Sequence, residues 1–265
     1  MAQRLAERGN AHIVATGITP SGEFHIGHLR EILTGDMIAR AARRAGMDAE
    51  LVFVVDNADP LRKVYSFLDD AYEEFIGHQI GSIPAPDATG KPDWARFNEE
   101  GWTYADHFLH PFLAALRQIG VMPRLLPNLE AYRAGKFSHA ARTACDNPEV
   151  VREIIERVSG RELPDSWFPW QPLDSEGSLD GLTITGYEFP LVHWTDRHGE
   201  SGSSNIEKGE GKLPWRLDWP AKWGFNAITC EPFGKDHGAA GGSYDTGKEL
   251  AVLFGHQPPV PLTYE

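Results

Sequence analysis

Residues 11–18, AHIVATGI, are an apolar, β-branched run with little alternation, the pattern of a buried strand. The turn formers Thr19-Pro20-Ser21-Gly22 follow. A helical period then begins at Ile26, and Leu29, Ile32, Leu33, Met37, Ala41 and Ala45 are expected on one face. Arg40, Arg43 and Arg44 crowd its last turns, where cations suit the helix dipole, and Gly46 is placed to end it. Residues 49–57, AELVFVVDN, are a second buried run. Strand, helix and strand make a right-handed βαβ unit.

Further along, residues 97–121 read as one amphipathic helix with Pro111 near a kink. PRLLPN (123–128) predicts a short third strand, and residues 128–160 predict short helices. From 165 the texture changes: Trp167, Trp170, Thr183, Ile184, Thr185, Tyr187, Val192 and Trp194 lie among Pro, Gly and Asp, which predicts a small antiparallel β region. Residues 199–211 read as a loop and 213–225 as a helix or tight turn. Residues 227–233 read as a strand, and 234–254 open as a glycine loop and end as a helix. The expectation is an α/β nucleotide-binding sheet in two halves, 1–130 and 212–265, split by an insertion, 131–211, of helices and then a small β region.

A length of 265 residues allows one large domain or two modest ones. Lys+Arg 25 against Asp+Glu 38 gives a net charge of −13, which argues against indiscriminate nucleic-acid binding but leaves room for a local basic patch. Cys145 and Cys230 form no Cys-x-x-Cys pair, so neither a disulfide framework nor a cysteine zinc knuckle is expected. No run approaches the ~18 apolar residues that cross a bilayer. The start of the chain has no apolar signal core. The reading is a cytoplasmic chain with no membrane partner.

The sharpest chemical signal is Thr19-Pro20-Ser21-Gly22-Glu23-Phe24-His25-Ile26-Gly27-His28, between the first strand and the first helix. Ligands of open α/β sheets bind beyond the carboxyl ends of strands, and a helix N-terminus offers N–H groups to phosphate. His25 and His28, three apart, can face one side of the first turn and donate to a phosphoryl group. Gly27 between them lets a flat group approach the backbone. The plainer reading is that both histidines cap the helix. A zinc site lacks an obvious third ligand, and no zinc is expected.

Thr-Pro-Ser-Gly-x-x-His-Ile-Gly-His resembles the first signature of class I aminoacyl-tRNA synthetases. VDNADPLRKV (55–64), KLPWRLDWPAKW (212–223) and EPFGKDHGAAGGSYDTGKE (231–249) narrow the resemblance to the class I type of lysyl-tRNA synthetase, over essentially the whole chain. The resemblance implies a Rossmann-like parallel sheet split by a connective insertion. It implies that ATP, accompanied by Mg²⁺, and lysine react to lysyl-adenylate, which then acylates tRNA(Lys). His25 and His28 would stabilise the adenylation transition state. Pro20, Ser21, Gly22, Gly27, Gly234 and Asp236 would attend ATP. Gly17, Thr19, Trp215, His237 and Tyr264 would shape the lysine pocket.

A lysine ε-ammonium wants carboxylate and aromatic neighbours, which makes Asp56, Asp59 and Asp218 candidate counter-charges. The bland alternative makes Asp56 and Asp218 helix caps, and at least two of Trp215, Trp219 and Trp223 plain core. Residues 1–265 hold neither a Lys-Met-Ser-Lys-Ser-like loop nor the helical anticodon-binding half that the resemblance implies. The expectation is therefore an N-terminal catalytic portion with little activity alone. Three alternatives remain: a class I synthetase for another amino acid, a non-catalytic module binding lysine, nucleotide or RNA, and a stand-alone enzyme adenylylating a small cationic amine.

Overall fold

The computed structural model describes residues 1–265. Its centre is a five-stranded sheet of β1 (Ala11–Ile18), β2 (Asp48–Val55), β3 (Arg124–Pro127), β9 (Cys230–Gly234) and β10 (Val260–Tyr264), in the order β10-β9-β1-β2-β3. Every neighbouring pair is parallel. β1 and β2 pair along their whole length, from Ala11 beside Asp48 to Ile18 beside Val55. Both strands are covered on their two faces, which is why neither alternates. The carboxyl ends of the parallel strands share one edge of the sheet.

Helix α1 (Ala2–Ala6) precedes β1, and α2 (Ile26–Arg44) connects β1 to β2. The expected face of α2 holds in its first half, where Ile32 is buried and Leu29 and Leu33 pack against the same core, and shifts after that. Ile32, Gly35, Ile38, Ala39 and Ala42 are buried, Met37 is 62% exposed, and Ala41 and Ala45 are exposed. Gly35 decides this. A Cβ there would lie 2.7 Å from Thr16 Cγ2 and 3.0 Å from a Leu51 methyl, so the helix rests on the sheet where it has no side chain. A pattern built on large apolar residues cannot register that contact.

The expected helix over 97–121 is two helices, α3 (Trp94–Glu100) and α4 (Tyr104–Gln118). The break falls at Gly101, and α4 opens with a capping box between Thr103 and Asp106. Pro111 lies inside α4, which is anchored on both sides of it by Tyr104, Ala105, Phe108, Leu109, Phe112 and Leu116. Packing therefore tolerates the lost hydrogen bond.

Helices α5 (Asn128–Arg133), α6 (Ser138–Asp146) and α7 (Pro148–Ser159) follow β3. Next come β4 (Gln171–Pro172) and a three-stranded antiparallel sheet of β5 (Thr183–Glu188), β6 (Leu191–Thr195) and β7 (Ser201–Asn205). β8 (Gly211–Lys212) pairs back on β4. The stretch 199–211 is thus not a loop throughout. β7 pairs with β6 along its whole length, and buried Ser204 accepts the Trp170 Nε1–H at 3.1 Å. Its Ser/Gly composition concealed a strand that pairing holds.

The chain returns to the central sheet through α8 (Trp215–Phe225), β9, the short α9 (Lys235–Gly238) and α10 (Ser243–Leu253). One 19-residue apolar cluster joins α5, α6 and α7 to α8 and α10 through Leu129, Ala141, Ile155, Leu217 and Leu250. No helix is long and apolar enough to cross a membrane.

Candidate functional site

At the carboxyl edge of the sheet lies a cavity of about 360 Å³, floored by the ends of β1, β2 and β9 and walled by α8. Gly17, Thr19, Asp56, Trp215, Asp218 and His237, all expected to hold lysine, line it together. Tyr264 reaches it indirectly: its hydroxyl donates to Glu31 Oε2 at 3.2 Å.

Asp56, Asp59 and Asp218 are neither helix caps nor free counter-charges. They belong to a buried network with two lysines of the same chain. Lys222 Nζ lies 2.5 Å from Asp56 Oδ1 and 3.1 Å from Asp218 Oδ1, and Lys212 pairs with Asp59. Thr19 donates to Asp59 Oδ2 at 2.7 Å. Asn128 Nδ2 reaches both Asp56 and Asp218, and the Tyr132 hydroxyl donates to Asp218 at 2.5 Å. Burial alone would discharge Lys222, but the two carboxylates raise its pKa above the ordinary value. Burial alone would raise Asp59, yet Lys212 and Thr19 hold it below its ordinary value. The network ties the β1 turn, β2, α5 and α8 into one frame.

Two lining carboxylates remain without a cationic partner, and neither was expected from the sequence. Glu31, on α2, accepts the Gly17 N–H at 2.9 Å as well as the Tyr264 hydroxyl. Burial, reinforced by the charges of Glu231 and Asp56, pushes its pKa to about 7. Glu231, on β9, accepts the indole N–H groups of Trp219 at 3.0 Å and Trp223 at 2.5 Å, and burial raises its pKa too. The available signals were spacing and context: Glu31 follows His28 by three on one helix, and Glu231 opens the block EPFGKDH. Trp223 is buried core, while Trp215 is 40% exposed and stands 6.1 Å from His237, ring to ring. Arg62, exposed at the cavity, is the one lining cation outside the network.

The turn Pro20-Ser21-Gly22, the N-cap His25 and the first-turn residues Gly27 and His28 of α2 lie outside the cavity lining. Both histidines do cap the helix. The Gly27 N–H donates to His25 Nδ1 at 3.0 Å, and the His25 N–H donates to His28 Nδ1 at 3.1 Å. The rings stack with centroids 3.9 Å apart. Each Nδ1 is an acceptor, so each neutral imidazole carries its proton on Nε2 and keeps a donor to offer. Burial and the neighbouring His25 lower the His28 pKa, which favours that neutral form. A Cβ at Gly27 would sit 2.8 Å from His25 Cε1, so a larger residue there would push the capping imidazole aside. Capping and phosphate contact are therefore compatible, since capping consumes one nitrogen of each ring. Gly234 ends β9, and Asp236 is exposed on α9.

A parallel sheet with a cavity beyond its strand ends and a histidine-capped first helix defines a Rossmann-like nucleotide-binding fold. The family model for class I (K) tRNA synthetases matches residues 1–265, and the chain belongs to that family. It is 42% identical over 269 residues to lysine--tRNA ligase 1 of Methanosarcina acetivorans, covering 100% of this chain and 48% of that protein. It is 39% identical over 254 residues to the lysine--tRNA ligase of Thermoplasma volcanium (95% and 48% covered) and 40% identical over 267 residues to that of Archaeoglobus fulgidus (100% and 52% covered). The chain spans about half the length of the curated relatives it matches.

Proposed function

We propose that residues 1–265 carry the lysine- and ATP-binding half of a class I lysine–tRNA ligase (EC 6.1.1.6). The observation that supports this best is the pair of half-buried Glu31 and buried Glu231, two carboxylates left without an ion-pair partner in a cavity where every other acid is paired. A ligand with an ammonium head supplies what they lack. Glu31, with Tyr264 beside it, receives the ε-ammonium. Trp215 and His237 bound the aliphatic stem, and Arg62 faces the carboxylate end. Gly17 and Thr19 form the floor.

ATP enters on the β1–α2 side, where Pro20, Ser21, Gly22 and Gly27 leave the backbone accessible. Gly234 and Asp236 attend the ribose. The lysine carboxylate attacks the α-phosphorus in line; the bond to the bridging oxygen breaks and pyrophosphate leaves. No protein nucleophile is needed, and the Nε2–H groups of His25 and His28 stabilise the charge gathering on the phosphoryl oxygens. No group of three or more His, Cys, Asp or Glu side chains is placed to hold a metal ion. Mg²⁺ therefore belongs with the triphosphate as part of the substrate. The adenylate then acylates tRNA(Lys), a step assigned to the whole protein and placed in the cytoplasm. We keep 131–211 as the connective insertion between the two halves of the catalytic domain.

Calorimetric titration tests this reading. Lysine should bind with clear preference over leucine and glutamate, and Glu31→Gln should remove that preference. Equal binding of the three amino acids, or none of lysine, refutes it.

A further inference from the structure

The chain passes from the insertion back to the catalytic half through a short junction. The pairing of β8 with β4 ends at Lys212, and α8 begins at Trp215. Between them lie Leu213 and Pro214. Pro214 has no N–H, and no side chain caps the start of α8. The remaining junction donor, the Leu213 N–H, is buried and donates to the hydroxyl of Tyr132 at 3.0 Å. That hydroxyl donates in turn to Asp218 Oδ2, in the first turn of α8, at 2.5 Å. Burial and the Asp218 charge push the Tyr132 pKa well above its ordinary value, so the hydroxyl keeps the proton it donates. One oxygen thus fixes both the backbone entering α8 and a side chain inside its first turn.

Tyr132 is itself gripped by the insertion. Its ring stacks on Phe137 with centroids 3.8 Å apart and meets Trp170 edge-on at 6.1 Å. A Cβ at Gly209 would collide with the Tyr132 carbonyl, so the turn between β7 and β8 rests directly on α5. Phe137, Trp170 and Gly209 all belong to 131–211. Tyr132 does not line the cavity, but Trp215, the first residue of α8, does. Trp215 is half exposed to solvent, so its own packing does little to fix the indole, and the backbone beneath it does more.

We propose that Tyr132 is a positioning residue for lysine recognition: it transmits the seating of the insertion to the start of α8 and so sets the Trp215 wall of the lysine pocket. This rests on the synthetase reading above and deepens it, because it makes the insertion part of the amino-acid site. Without the hydroxyl, the Leu213 N–H is buried with no acceptor. Moving the first turn of α8 out to water relieves that state and takes Trp215 with it. The complete pocket is then present in a fraction of the molecules, and lysine affinity falls by that fraction. ATP, on the β1–α2 side, makes no use of this wall.

The test is Tyr132→Phe, with Ile38→Val as a control that lowers stability from a different apolar cluster. Lysine and ATP are titrated calorimetrically, and amide hydrogen exchange over 213–218 is followed by mass spectrometry without ligand. Tyr132→Phe should bind lysine about tenfold more weakly and ATP within about twofold of wild type, and 213–218 should exchange about tenfold faster. Ile38→Val should leave all three readings within about twofold. Phe137→Leu keeps both hydrogen bonds but loosens the ring that carries them. It should move lysine affinity and exchange in the same directions by smaller factors, and it decides the matter if Tyr132→Phe does not fold. Unchanged lysine affinity, loss of lysine and ATP affinity in step, or unchanged exchange over 213–218 each overturns the proposal. A wild-type chain that ignores lysine refutes the synthetase reading instead, and the exchange of 213–218 then decides alone whether Tyr132 seats α8.

Discussion

Glu31→Gln separates the energetics of the fold from those of the site, because the two should move in opposite directions. Burial raises the Glu31 carboxyl from its ordinary 4.5 to about 7, so holding it ionised in the empty cavity costs about 3 kcal/mol. A carboxyl whose folded pKa is raised contributes stability that is complete below the unfolded value, about 4.5, and lost as pH rises through about 7. Above pH 7, the neutral amide should therefore stabilise the empty protein by about 1–3 kcal/mol, while still accepting the Gly17 N–H. Lysine should behave oppositely. A charged hydrogen bond to the ammonium is worth about 1.5–3 kcal/mol, so the variant should bind lysine roughly 10–150 times more weakly at pH 8. If ammonium binding returns Glu31 to an ordinary carboxylate, wild-type affinity should fall about tenfold from pH 8 to pH 6, because a proton must be expelled first. The variant should lose most of that dependence. Thermal melts and lysine calorimetry on both proteins across this pH range read each quantity. A variant that melts lower at pH 8, or binds lysine with the wild-type pH profile, refutes the assignment.

The other predictions concern the cap, the network and the carboxylate end. In the full-length protein, His28→Ala should lower the kcat of lysine-dependent pyrophosphate exchange about 10²–10³-fold with the lysine KM little changed. It should also cost about 0.5–2 kcal/mol of stability through the lost cap. His28→Asn keeps an acceptor for the His25 N–H and should recover the melting temperature but not the rate; parallel recovery of both would reduce His28 to a cap. Lys222→Met leaves Asp56 and Asp218 buried without their cation and should destabilise the fold by about 3–5 kcal/mol in urea denaturation. Adding Asp218→Asn should restore part of that loss, and no recovery would mean that the pair does not act as a unit. Arg62→Met should weaken lysine but not the diamine cadaverine, which has no carboxylate; equal loss for both would remove Arg62 from the carboxylate end.

Local structure was legible wherever the signal was periodic or chemically singular. The β1–α2–β2 unit, the short β3 and the antiparallel strands after residue 165 follow from apolar runs and turn residues read in place. Of the cavity-lining set, Gly17, Thr19, Trp215 and His237 followed from the family resemblance, and Asp56 and Asp218 from the counter-charge that an ammonium requires. The α2 face was legible at Leu29, Ile32 and Leu33 but not beyond, where the contact falls on Gly35. The α3–α4 break falls at Gly101 and the Thr103 cap, while the anchored α4 absorbs Pro111 unbroken.

Residue types and their order along the chain thus determined the class of fold, the edge at which its ligands gather and the motifs that gather there. The tertiary structure alone decided which charges remain unspent. Lys212 lies 153 residues from Asp59 and Lys222 lies 166 residues from Asp56, and only folding brings them together, although Lys222 also meets Asp218 one turn away on α8. Without that pairing, Asp56, Asp59 and Asp218 look like the natural partners of a bound ammonium. With it, the unpaired negative charge falls to Glu31 and Glu231, because an ionic interaction is set by distance and burial in space, and the sequence specifies neither.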